Sequence, residues 1–151
     1  KLNNFPNPTF SVINGPQNKV FTLKCFNPGC STSIMAFEKE SRTISLKHKN
    51  ILQAHTHSKD LTVQTKDGRA QSCAGILYEY YLTSLFELLE EAYSSPLNDE
   101  IFVRTLFKQL VEGVEYLHSK NVSHNNLNLE SIVVTFNKKV KIADFEASNS
   151  Q

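Results

Sequence analysis

The sequence predicts an α+β protein of two lobes, on three observations. A chain of 151 residues with 40% hydrophobic residues is long enough for one domain with a substantial core, and two full domains are not expected. Its hydrophobic period changes in an orderly way: strands with one helix come first, then helices with a small hairpin. No internal repeat or low-complexity segment interrupts that order.

In "KVFTLKCF" (19–26), Val20, Thr22 and Lys24 alternate with Phe21, Leu23 and Cys25, which is a strand signal. The pattern puts Lys24 on the face opposite the bulk apolar residues. "NPGC" then marks a turn. A helix is expected over 31–48, with Ile34, Phe37, Ile44 and Leu46 as apolar positions, Ser31 or Ser33 as N-cap, and acids early and bases late as the macrodipole favours. "LTVQTKDGRAQSCAGILYEYY" reads as a β-hairpin around "KDG". "SLFELLEEAY" is a short amphipathic helix stopped by "SSPLN". The clearest helix covers 98–120, with Phe102, Leu106, Leu110, Val114 and Leu117 in one stripe and Asp99 and Glu100 in its first turn. Two short strands follow, "SIVVTF" and "KVKIADF", joined by "NKK".

Charge excludes little. Sixteen Lys and Arg against 15 Asp and Glu give a net charge of +1, with no single-sign field pointing to nucleic acid or an anionic membrane. The longest apolar runs fall far short of the roughly 20 residues that span a bilayer, and "KLNNFPNPTF" has no apolar signal core. Three cysteines, Cys25, Cys30 and Cys73, make an odd number, which fits free thiols in a reducing compartment, cytoplasmic or nuclear. Cys25 and Cys30 with His55 and His57 match the spacing of no common zinc module.

Several phrases then fall in one order: "FTLK", "FEKES", "HKNIL", "ILYEYYLTSLFELL", "LVEGVEYLHSKNVSH" and "KIADF". From about Phe21 onward the sequence resembles the protein-kinase superfamily, and is most similar to serine/threonine kinases of the calcium/calmodulin-dependent and related type. The spacing of H-R-D-L-x-x-x-N and D-F-G is met by His124, Asn125, Asn126, Leu127 and Ser131, and by Asp144, Phe145 and Glu146. The resemblance implies a bilobal fold, with a small β-rich N-lobe and one helix over 1–81 and an incomplete helical C-lobe over 82–151.

It also implies roles. Lys24 would hold the α- and β-phosphates of ATP and pair with Glu40, with Glu38 as the competing partner. Taken alone, Lys24 also reads as a solvated lysine on an edge strand. Glu79 and Tyr81, in the hinge, join Lys24 and Glu40 as cofactor-binding residues. Asp144 takes the position of the metal-binding aspartate, and Phe145 would share a hydrophobic column with His124 and Ile44. Asp144 also reads as a residue that merely ends a strand.

The departures cluster on catalysis. Asn126 stands at the catalytic-base position, where an amide has the shape of a carboxylate but cannot take up a proton at neutral pH. Asn128 replaces the catalytic-loop lysine. Ser131 replaces the asparagine that binds the second Mg2+, and a serine hydroxyl is a shorter, weaker ligand. Glu146 replaces a hinge glycine. No Gly-rich loop is recognisable: Gly15 reads as the turn before the Lys24 strand, and "NNFPNPTF" as a remnant with two prolines. No acid follows the hinge to hold a ribose, and Thr22 sits where a small apolar residue would cover adenine.

By the resemblance the chain stops a few residues into the activation segment. The apolar face of helix 98–120 would then lack its usual cover, so that the chain is a fragment of a longer product, or a protein partner covers that face, or the protein is poorly stable; a protein partner is the expectation. Two functions follow: a catalytically inactive kinase-like binding or regulatory module, with ATP and Mg2+ bound weakly or not at all; or a segment of an ATP-dependent serine/threonine kinase. Neither nucleic acid nor a membrane is an expected partner.

Overall fold

A computed structural model describes residues 7–14, 17–64, 68–91 and 99–150. The chain divides into two compact units, Lys1–Ser45 with Gln53–Tyr80, and Leu46–Leu52 with Tyr81–Gln151.

The first unit is an antiparallel sheet with one helix. Strands β1 (Thr9–Asn14), β2 (Lys19–Phe26), β3 (Ala54–Gln64) and β4 (Ala70–Glu79) lie in the order β1-β2-β4-β3. Lys24 therefore sits on an inner strand, and the edge-strand reading falls. Its face also differs from the one the alternation suggests. Register places Thr22 opposite Tyr78, Lys24 opposite Ile76 and Phe26 opposite Ala74. All six of these residues are buried. Phe26 packs edge-on against Phe37 of helix α1 (Ser31–Ser41), with ring centroids 5.5 Å apart. The helix-covered face is thus the lysine's own.

Helix α1 is shorter than its periodicity suggests, giving way to a 3-10 turn at Arg42–Ser45. Its N-cap is Cys30, without a side-chain bond, and not Ser31 or Ser33. Ser33 instead accepts the Asn27 backbone N–H at 2.8 Å. The expected charge order is also absent, since no acid lies in the first turn and Glu38 and Glu40 fall late. Ser33, Ala36, Phe37 and Glu40 form the buried face, a spacing of three, four and seven from Ser33. Glu40 is thus committed to the sheet by helical geometry alone. Glu38 points elsewhere, half-exposed, and meets the exposed Lys59 at 3.5 Å.

The β3–β4 hairpin is as expected in kind and longer in extent, since β3 begins at Ala54. The polar run from His55 to Ser58 carries no alternation to announce a strand. Pairing with β4 imposes it, with register shifts between Ala54 and Thr56 and between Ser58 and Leu61. Gly68 in the turn takes φ 79°, where a side chain would be strained. Lys66, Asp67, Gly15 and the "SSPLN" stop lie outside the described residues.

The second unit holds α2 (Leu85–Glu91), α3 (Glu100–Ser119), a three-stranded sheet in the order β5-β7-β8 (Thr83–Ser84, Ile132–Val134, Val140–Ile142) and the pair β6-β9 (Val122–Ser123, Asn149–Ser150). Ser84 and Glu87 form a reciprocal capping box at the start of α2, the serine hydroxyl accepting from the Glu87 amide and the carboxylate from the Ser84 amide, both at 3.1 Å. Asp99 caps α3 by accepting from Ile101 and Phe102 N–H, so it precedes the first turn and does not belong to it. Leu46–Leu52, which the sequence reading groups with the N-lobe, packs here. Leu46 and Ile51 share a core with Leu117, Val122, Ile142 and Phe145. Asn50 donates to Val140 O at 2.9 Å, and its carbonyl accepts from Ile142 N at 2.9 Å. Gly113 of α3 lets this segment approach: a Cβ there would lie 3.1 Å from Asn50 O.

The apolar stripe of α3 is not bare. Leu106 and Leu117 are buried, and Phe102, Leu110 and Val114 pack against the same cores. Exposure falls instead on Ile101, Phe107 and Val111, the last two at 62% and 61%. Among the described residues no helix is long and apolar enough to cross a membrane.

Candidate functional site

In the first unit, Lys24 Nζ donates to Glu40 Oε2 at 2.7 Å, with side-chain exposures of 10% and 1%. Tyr78 Oη donates to the other carboxylate oxygen, Oε1, also at 2.7 Å. Each donor comes from a different strand, β2 and β4, and the acceptor from α1. Lys24 Nζ also lies 5.4 Å from the Phe26 ring centroid. The arrangement keeps one ammonium at a fixed place inside a largely apolar shell, a geometry suited to meeting a phosphate.

Of the two residues expected in the hinge, Glu79 is half-buried and ties down its neighbour strand: Oε1 accepts from the Gln53 amide at 2.8 Å, and its own amide donates to Gln53 O at 2.9 Å. That gives its carboxylate a structural use that sequence alone did not suggest. Tyr81, half-buried, follows the end of β4 and falls in the second unit.

In the second unit the loop 124–131 brings Asn126, Asn128 and Ser131 together. Asn128 Oδ1 accepts from Glu130 N at 2.9 Å and Ser131 N at 3.0 Å, an Asx turn. Its Nδ2 donates to both Asn126 O and Asn126 Oδ1 at 3.3 Å. Ser131 is 1% exposed. Its hydroxyl donates to Asn128 O and accepts from Asn128 N, both at 2.9 Å. These polar groups bond one another, and all of them are neutral.

His124 anchors the loop. Its Nε2 lies 2.8 Å from Ala143 O and its Nδ1 is 3.3 Å from Asn126 N. A carbonyl on one side and an amide N–H on the other assign the proton to Nε2 and leave Nδ1 as acceptor. Burial lowers the His124 pKa from its ordinary value, against smaller upward pulls from the Ala143 hydrogen bond and the Asp144 charge. The ring lies 4.9 Å from that of Phe145, which is fully buried. Asp144 takes φ 61°, in the left-handed region, whereas Glu146 stays outside it. Glycine is therefore not required at 146 for backbone reasons. The Asp144 and Glu146 carboxylates are half-buried, with oxygens within 4.8 Å of each other.

A family model described as the protein kinase domain matches residues 8–151. The chain belongs to the protein kinase family. It is 30% identical over 132 residues to CBL-interacting serine/threonine-protein kinase 17 of Arabidopsis thaliana, covering 85% of this chain and 28% of that protein. It is 30% identical over 129 residues to serine/threonine-protein kinase chk1 of Schizosaccharomyces pombe, covering 85% and 23%. Serine/threonine-protein kinase PRR2 of Saccharomyces cerevisiae is 31% identical over 140 residues, covering 87% and 18%. The chain thus spans less than a third of the length of these kinases.

As a protein kinase domain, the chain can be tested for fit to ATP and Mg2+ residue by residue. The first unit fits the phosphate side, because Lys24 is held by a carboxylate with both oxygens satisfied. The second unit fits poorly at the second metal position: the Ser131 hydroxyl is buried and turned into its own loop. Sequence reasoning passed over Tyr78. Strand parity could have found it, since Tyr78 lies two residues from Ile76, the partner of Lys24, and so shares its face.

Proposed function

We propose that this kinase domain is catalytically inactive and acts as a binding or regulatory module, retaining weak ATP binding through Lys24. The observation that carries the reading is the loop 124–131. At the base position Asn126 offers an amide whose oxygen already accepts from Asn128 Nδ2. Phosphoryl transfer asks a protein for positioned charge and a base or orienting group at the nucleophile. Here the base position is neutral, the catalytic-loop lysine position is neutral, and the second metal ligand is a buried serine. Three changes in one loop act on three different parts of that chemistry.

A protein partner on helix 98–120 belongs to this reading, with Ile101, Phe107 and Val111 as the side chains available to it. Free Cys25, Cys30 and Cys73 support a reducing, cytoplasmic setting. The second reading, a segment of an active serine/threonine kinase, draws support from the intact Lys24–Glu40 pair, from Asp144 and from the likeness to proteins named as serine/threonine kinases.

Two measurements separate them. Thermal-shift titration with ATP and Mg2+ tests binding: a shift abolished by Lys24→Ala supports a working phosphate contact, and no shift at millimolar nucleotide refutes ATP binding. Phosphotransfer by the Asn126→Asp variant tests the loop. No substantial activity is expected, because Asn128 and Ser131 remain changed; robust activity from that single substitution favours the active-kinase reading.

A further inference from the structure

The Tyr78 hydroxyl occupies half of the Glu40 carboxylate, the half that Lys24 does not reach. We propose that Tyr78 is a positioning residue: by donating to Oε1 it fixes the plane of the Glu40 carboxylate with Oε2 toward Lys24, so the ion pair stands assembled before any ligand arrives. The proposal deepens the kinase reading of Lys24, and rests on it for the nucleotide measurement alone.

The physical need comes from Glu40 itself. It is the tenth of the eleven residues of α1, at the end where the macrodipole disfavours a negative charge. It is also 1% exposed, so water cannot solvate it. A carboxylate so placed requires a donor on each oxygen. An ammonium on a flexible four-carbon stem holds one oxygen and by itself does little to fix the plane of the group. A phenol on the neighbouring strand removes that freedom, because its ring has few rotamers and its hydroxyl reaches a single point. Register supplies the geometry, since Lys24 and Tyr78 lie diagonally on adjacent strands and face the same helix. Without the hydroxyl, Oε1 is a buried acceptor lacking this donor. The carboxylate then rotates or withdraws, and Lys24 loses its fixed place.

The test reads the lysine and not the fold. The full chain, its Tyr78→Phe variant and its Glu40→Gln variant receive a brief pulse of acetic anhydride, and acetylation at each lysine is read by mass spectrometry. The exposed Lys108 and Lys139 serve as internal standards. The expected result is a rise of about tenfold at Lys24 in both variants, the population shift that loss of one hydrogen bond to a buried charged group produces. Amide exchange across β2 and β4 should stay unchanged in Tyr78→Phe.

A rise in Glu40→Gln without one in Tyr78→Phe overturns the role of Tyr78. So does a rise in Tyr78→Phe matched by faster exchange across both strands, which marks general loosening. No rise in either variant overturns the assembled pair and the proposal together. Should Tyr78→Phe fail to fold, the unaltered chain still decides: a slowly exchanging Tyr78 hydroxyl proton in its NMR spectrum supports the bond, and a rapidly exchanging one refutes it. The ATP and Mg2+ titration is run in parallel. No shift in the unaltered chain defeats the nucleotide reading and leaves the labelling result standing.

Discussion

In the first unit a lysine, a glutamate and a tyrosine from three elements hold one another in a buried network that contains full charges. In the second unit two asparagines and a serine, all within six residues, hold one another in a loop that contains none. The first arrangement carries a desolvation cost that only its partners offset. The second is a set of neutral bonds between near neighbours, each worth about 1 kcal/mol net. Side chains that share a family's chemistry are thus held under different constraints, and substitutions in the two places should have different consequences.

The largest expected effect is on the charged side. Lys24→Ala leaves Glu40 buried without its cation and should cost about 3–5 kcal/mol of stability, read from the urea midpoint. Asn126→Ala, in the exposed part of its loop, should stay within about 0.5 kcal/mol. Equal losses would erase the distinction between the units. Gly113→Ala comes next. A Cβ meeting Asn50 O at 3.1 Å and Ile142 Cδ1 at 3.0 Å pushes the 46–52 segment off α3, at a cost of about 1–3 kcal/mol.

A smaller effect is set by pH. His124 has its folded pKa lowered, chiefly by burial, so below about pH 6.5 the unfolded chain takes up the proton first. Stability should therefore be flat above that value and fall as pH drops through it toward the folded pKa, by less than about 1.4 kcal/mol per pH unit. His124→Gln should remove that slope from the denaturation profile. The smallest effect is chemical and leaves the fold alone. The Cys25 thiol is pushed up to about 12, first by burial and then by Cys73, whose sulfur is 3.5 Å away. Cys30 is lowered, first by its bond to Thr32. Brief iodoacetamide treatment at pH 7.5 should alkylate Cys30 and leave Cys25 unmodified, as peptide mass mapping would show.

How much of this was legible in sequence follows from where each signal lies. The order of elements and the kinase spacing could be read, because apolar period and motif intervals are local. The candidates Lys24, Glu40, Asn126, Asn128, Ser131 and Asp144 were picked out by the fixed place each holds in a phrase, and the structure brings Lys24 to Glu40 and Asn128 to both Asn126 and Ser131. The face of β2 was misread. A lysine among alternating apolar residues looks solvent-facing until the buried face is known to hold the glutamate that accepts from it and the tyrosine that donates to that glutamate, both from elsewhere in the chain. For the same reason nothing in "HKNIL" announced that Leu46–Leu52 packs with the second unit, as that depends on Gly113, more than sixty residues later. The exposed face of α3 was misplaced too. Its regular stripe is the inward side, and Ile101, Phe107 and Val111 lie off that stripe.

The measurement that bears most directly on the account is transfer of the labelled γ-phosphate of ATP, with Mg2+, by this chain and by any longer product that carries it, to itself or to a generic hydroxyl-bearing protein. The account predicts incorporation no greater than in an Asn126→Ala control. Incorporation well above that control, and lost on Lys24→Ala, would show that the loop of neutral side chains still operates as a kinase and would contradict it.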